Sequence, residues 1–197
     1  MRALDRYLPE YHFVERHATR VRAPAAVVYR AIHELTGDEL RLARPLFWLR
    51  ALPARLLGRR VPNRSRSQQP VLQAVLNGGF VLLHDQPERE VALGTIGRFW
   101  QLSGGGAKPT VTDAASFVAF ADPTYARAAL DFRLEPSADG TTTHLSTETR
   151  IFTPDPLTRR RFSHYWRLIH PGSALSRLIW LRALRRRAER LAAPVMA

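Results

Sequence analysis

The stretch Arg22-Ala23-Pro24-Ala25-Ala26-Val27-Val28-Tyr29-Arg30-Ala31-Ile32 decides the fold. Upstream of it, Tyr11 to Val21 alternates with the period of a strand, placing Phe13, Glu15, His17 and Thr19 on one face and His12, Val14, Arg16 and Ala18 on the other. Pro24 then stands where a first helical turn tolerates a residue without an N–H. Downstream, Val27, Val28, Ala31, Ile32 and Leu35 recur at helical spacing, and Thr36-Gly37 reads as the stop. A strand that turns directly into an amphipathic helix must lay that helix across the sheet it has just left.

The rest of the chain continues this plan. Residues from about 38 to 76 form an irregular insertion with Pro45, Pro53, Pro62 and Pro70, expected to hold short helices around a polar loop at Asn63–Ser67. Strands are expected at Phe80–His84, Val91–Trp100, Ala115–Ala121, Ala128–Glu135 and Thr142–Phe152, separated by turn-rich links such as Ser137-Ala138-Asp139-Gly140. Short links of this kind imply an antiparallel meander. From Pro156 onward the pattern is helical again. Phe162, Trp166 and Ile169 share one face there, Pro171-Gly172 interrupts the run, and Ser173 is placed to cap a second segment. One kinked helix or two in series both fit.

Three pieces together resemble the helix-grip fold of the START-like (SRPBCC) superfamily, the polyketide cyclase/dehydrase and lipid-transfer group. They are the Arg22–Tyr29 junction, the strand Thr142–Phe152 and the Arg-rich closing helix from Arg159. The resemblance implies one α+β domain spanning 1–197, with a curved antiparallel sheet wrapped around a long C-terminal helix and a cavity between them. It carries over no functional residues.

Composition narrows the chemistry. The 197 residues contain no cysteine, which excludes thiolate catalysis, disulfides and Cys-based metal centres. The seven histidines are scattered, with no metal-ligand spacing. No nucleophile elbow is present, and Gly104-Gly105-Gly106 lacks the Lys-Ser/Thr of a phosphate loop. Nothing calls for a metal or a cofactor. No apolar run approaches the ~20 residues that span a bilayer, and Met1–Arg6 has no signal-peptide character. A cytoplasmic protein is expected, with peripheral membrane contact left open.

The net charge of +13 is concentrated in two segments, +8 between Arg41 and His84 and +9 from Pro156 onward. All but one of the 30 basic residues are arginine, as in a GC-rich bacterial genome, so arginine identity says little about function. Solvated helix faces are the first reading of this charge. An anionic membrane surface is the second, with Phe47, Trp48, Arg50 and Arg55 as contacts. Nucleic acid comes last, because no groove-reading motif accompanies the charge.

Candidate lining for an apolar cavity is Phe99, Phe117, Phe120, Phe132, Phe152, Tyr165 and Trp166, a set that would serve equally as plain core. The expected occupant is a lipid, an isoprenoid or a polyketide-like molecule, held without chemistry. The alternative is a cyclase- or dehydratase-like enzyme using Glu148, Arg150, Tyr165 or His164 for proton transfer. Glu148 and Arg150 share a strand face, as do Asp131, Arg133 and Glu135. A solvent-facing charge ladder is the expected arrangement for these five.

Overall fold

The computed structural model describes residues 1–40, 68–101 and 109–193. In chain order its elements are α1 (Ala3–Tyr7), β1 (Phe13–Val21), α2 (Ala25–Glu34), α3 (Val71–Leu76), β2 (Val81–Gln86), β3 (Glu90–Gly97), α4 (Ala114–Ala119), β4 (Ala126–Pro136), β5 (Thr143–Phe152) and α5 (Pro156–Ala192). The strands form one five-stranded sheet in the order β1-β5-β4-β3-β2, and every neighbouring pair is antiparallel. With α5 and α2 packed on one face, this is the α+β helix-grip architecture that the junction at Pro24 predicts.

Register assigns each strand residue to a face. Phe13, Glu15, His17, Thr19 and Val21 of β1 share the inner face with Leu145, Thr147, Thr149 and Ile151 of β5, with Ala128, Leu130, Phe132 and Leu134 of β4, and with Val91 and Leu93 of β3. Val28, Ala31 and Ile32 of α2, and Leu35 just after it, bury against this face together with Leu181, Leu184 and Ala188 of α5. Ion pairs tie α5 to α2 and the loop after it: Arg187 reaches Glu34 of α2 at 2.8 Å and Glu39 of the loop at 2.6 Å, and Arg190 reaches Glu39 at 2.6 Å.

The outer face is covered by two short helices. Leu4 and Leu8, within and just after α1, pack with Phe117 of α4 onto Leu83, Ala92, Ile96 and Ala129. Gly94 makes this possible, since a Cβ there would meet the Phe117 ring at 2.8 Å and Leu83 at 2.9 Å.

Two sequence expectations change. The strand expected at Ala115–Ala121 is replaced by helix α4 over Ala114–Ala119, because Asp113 caps it by accepting from the Ser116 N–H and Phe117 is drawn into the outer core. Helix α5 runs unbroken through Pro171, so Ser173 lies inside the helix and caps nothing. Its start is capped by Asp155, which accepts from the Thr158 N–H, with Pro156 in the first turn.

Candidate functional site

Helix α5 is anchored at its two ends. Near its start Thr158 and Phe162 are buried; toward its end Leu181, Ala183, Leu184 and Ala188 are buried; from Ser163 to Trp180 no residue is buried. That stretch covers about five turns, about 27 Å. The sheet beneath it has the same three-part pattern. At one end Phe13, Ala126, Ala128 and Ile151 pack around Phe162 with Phe99, Trp100, Tyr165 and Trp166. At the other, Val21, Leu145, Leu130 and Phe132 belong to the main core with Trp180. Between these apolar ends runs a polar band, Glu15 and His17 on β1 facing Thr149 and Thr147 on β5 in direct cross-strand pairs.

Within the band, Glu15 holds the centre. Its Oε1 lies 2.8 Å from His17 Nε2, and its Oε2 accepts from the Ser173 hydroxyl of α5 at 2.9 Å. An ionised carboxylate only accepts, so the imidazole must present Nε2–H to it, leaving Nδ1 of a neutral ring as an acceptor. Thr147, opposite His17, is 2% exposed, and its hydroxyl has no hydrogen-bond partner among the described residues. Leaving such a group unsatisfied costs about 1–3 kcal/mol. Aromatic rings flank the band on both sides: Phe162 to Phe13 at 4.8 Å and to Trp166 at 5.8 Å, Trp166 to His170 at 5.1 Å, and Phe132 to Trp180 at 5.1 Å.

The seven aromatic residues expected to line one cavity are divided by the sheet. Phe99, Tyr165 and Trp166 meet around Phe162 on the inner face, and Phe132 lies further along it. Phe117, Phe120 and Phe152 belong to the outer face. There Phe120 and Phe152, with Tyr125, Arg127, Asp122 and Pro154, border a groove of about 220 Å³, below the ~300 Å³ at which drug-sized ligands are usually enclosed. His12 stacks on Phe152 with ring centres 5.2 Å apart, and Arg127 lies over the same ring at 5.1 Å. Phe47, Trp48, Arg50 and Arg55 lie outside the described residues.

The charge ladder does not face water. Asp131, Glu148 and Arg150 are buried on the outer face beneath α1, and only Arg133 and Glu135 at its end are reached by solvent, paired with each other at 3.0 Å. Arg2 donates to both Asp131 oxygens at 3.0 and 2.8 Å and to Ser146 at 2.8 Å. Arg150 binds Glu148 at 2.7 Å and Asp5 at 2.7 Å, and Arg16 closes on Glu148 at 2.8 Å from β1. Glu90 accepts from the Ala3 N–H at 2.9 and 3.0 Å. The solvent-facing expectation fails because α1 supplies partners that let the charges be buried.

Burial pushes the Asp131 carboxyl up to about 7; Arg2 works against this and the neighbouring Glu90 carboxylate adds to it. Burial also acts to raise Glu148, but hydrogen bonds from Arg16 and Arg150 outweigh it and hold the group below the usual carboxylate range. Each carboxylate and guanidinium here is matched by a protein partner, the mark of a structural network. Glu148 and Arg150 are therefore remote from the face that α5 covers. Among the described residues no group of three or more His, Asp or Glu side chains is arranged to hold a metal ion.

Glu15, His17, Thr147 and Ser173 were not singled out by pattern. The alternation of β1 did place Glu15 and His17 on the same face as Phe13, and an acid and an imidazole on a strand face otherwise built for packing is a usable signal. Thr147 and Ser173 carry none, since both are ordinary in a strand and a helix.

No family model and no curated protein sequence matches the chain. Solved structures with a similar arrangement include protein MLL2253 of Mesorhizobium loti, at 13% identity over 90% of this chain and 98% of that one, TM-score 0.41. TTHA0849 of Thermus thermophilus aligns at 9% identity over 92% of this chain and 100% of that one, TM-score 0.35. The Zhui aromatase/cyclase of a Streptomyces species aligns at 15% identity over 92% and 96%, TM-score 0.34.

Proposed function

We propose that this chain is a START-like protein that binds a small apolar or amphipathic molecule between the inner face of the sheet and the middle of α5, without transforming it. The observation that carries this reading is the two-ended anchorage of α5: from Ser163 to Trp180 its sheet-facing residues, Trp166, Ile169, Ser173 and Trp180 among them, are only half-buried, with Ser173 over Glu15 of the polar band. A helix whose only task was to close a core would bury a stripe along its whole length. Binding would draw on apolar ligand surface, at about 25 cal/mol per Å² removed from water, with the band setting orientation. The enzymatic alternative loses Glu148 and Arg150, which serve the outer-face network. Native mass spectrometry of the purified protein, followed by organic extraction, tests the reading. A stoichiometric lipid, isoprenoid or polyketide-like molecule supports it; a clean apo mass with no thermal shift across a lipophilic library overturns it.

A second reading, contact with an anionic membrane surface, has its own observation. Leu157, Leu168 and Leu175 are exposed on α5, Leu168 at 82%, and at 100° per residue they fall within about 20° of one another. Arg161, Arg182 and Arg186 lie along the same side. Leucines flanked by arginines suit the headgroup boundary of an anionic bilayer. Vesicle sedimentation at low salt with no preference for anionic over zwitterionic lipid would remove this reading. Among the described residues no helix is long and apolar enough to cross a membrane.

A further inference from the structure

We propose that the polar band selects ligands by an uncharged hydroxyl, a phenol or an alcohol on an otherwise apolar body, held between His17 Nδ1 and the Thr147 hydroxyl. This rests on the reading that the inner face takes an apolar molecule, and it names what that molecule must carry. Both Glu15 oxygens are already engaged, one by His17 Nε2 at 2.8 Å and one by the Ser173 hydroxyl at 2.9 Å. Glu15 therefore acts on the ligand only through the imidazole, whose tautomer it sets. In a neutral ring that leaves one acceptor, His17 Nδ1, with no hydrogen-bond partner among the described residues, and one buried hydroxyl, Thr147 Oγ1, also without one among them.

The two groups belong to residues paired directly across β1 and β5. Cross-strand Cβ atoms stand about 4.5–5.5 Å apart, so a single ligand oxygen can reach both, donating its proton to Nδ1 and accepting from Thr147. Buried polar groups in native proteins are almost always satisfied, so an orphan of this kind points to a partner from outside the chain, one that must part α5 from the sheet to reach it. A carboxylate would fail on two counts. It has no proton to give Nδ1, and it would bring a second negative charge beside Glu15, which is buried. The flanking rings, Trp166 and Phe162 on one side and Phe132 and Trp180 on the other, fit a flat apolar remainder.

The test uses three matched probes, naphthalene, 2-naphthol and 2-naphthoate, titrated into the full chain and into T147V and H17F. Wild type should bind 2-naphthol at least about tenfold more tightly than naphthalene, and 2-naphthoate more weakly than 2-naphthol. T147V, which removes an unpaired hydroxyl and should fold with an equal or higher Tm, should cut the naphthol-to-naphthalene ratio to about twofold or less, and H17F should do the same. Equal binding of naphthol and naphthalene by wild type, or a ratio that survives T147V, overturns the inference while leaving the apolar site standing. If no probe binds, the site itself fails and the inference with it.

Discussion

The replacement D131N sets two opposing physical effects against each other. Asp131 is fully buried, with two hydrogen bonds from Arg2 and one from the Glu148 N–H. Pairing with a guanidinium lowers a carboxyl; burial raises it, and here burial dominates, moving the group from 3.8 to about 7. A carboxyl raised on folding contributes stability that is fully present below the unfolded value and is lost as pH rises through the folded one. For Asp131 that window runs from about 4 to about 7. Between pH 5 and pH 8 two pH units lie inside it, and at about 1.4 kcal/mol per unit the loss is about 3 kcal/mol. Asparagine keeps the shape, can still accept from Arg2 and Glu148, and has no charge to desolvate. Relative to wild type, D131N should therefore gain about 3 kcal/mol of stability between pH 5 and pH 8, read from urea midpoints at constant m-value. R2M should be destabilised by about 3–5 kcal/mol at pH 8, where it leaves a buried charge unpaired, and R2M/D131N should recover most of that loss. A D131N difference that stays within about 1 kcal/mol across the range, or that falls as pH rises, would refute the reasoning and show that the Arg2 pair outweighs burial.

Other consequences can be read from single substitutions. G94A should lose about 1–3 kcal/mol of unfolding free energy, because its Cβ would stand 2.8 Å from the Phe117 ring; an unchanged urea midpoint would mean that α4 shifts freely on the sheet. L184A, at a fully buried position, should cost about 2–5 kcal/mol, whereas L168A, at an exposed one, should stay within about 0.5 kcal/mol by the same assay. W166A should weaken retention of a co-purifying ligand more than R186A does, measured by native mass spectrometry, and equal effects would count against an inner-face site.

The order of elements could be read from local signals because each was decided locally. Pro24 suits a helix start, the turn residues between β4 and β5 favour a hairpin, and both are found in the structure. What escaped was decided by contacts distant in sequence. Helix α1 is five residues long and has no periodicity of its own, yet it brings Arg2 to Asp131 across 129 positions. Alternation correctly put Glu148 with Arg150 and Asp131 with Arg133, but a period of two says which residues share a face and is silent on what covers that face. For the same reason Phe117, Phe120 and Phe152 could not be told apart from Phe99, Tyr165 and Trp166. Aromatic residues suit either side of a sheet that is covered on both.

The two polar groupings of this sheet differ in one physical respect, and it bears on function. On the outer face each buried charge meets a protein partner: Arg2 with Asp131, Arg16 and Arg150 with Glu148, Asp5 with Arg150, and Glu90 with the Ala3 N–H. Such a network, completely matched within the chain, is what burial alone demands. On the inner face the matching stops short. Glu15 is satisfied by His17 and Ser173, but Thr147 is buried with an unused hydroxyl, where valine of nearly the same shape would fit without that cost. If stability alone governed the position, the hydroxyl would be a defect. Placed across from His17, between two aromatic clusters and under the half-buried middle of α5, it is where the proposed ligand hydroxyl would complete the pair.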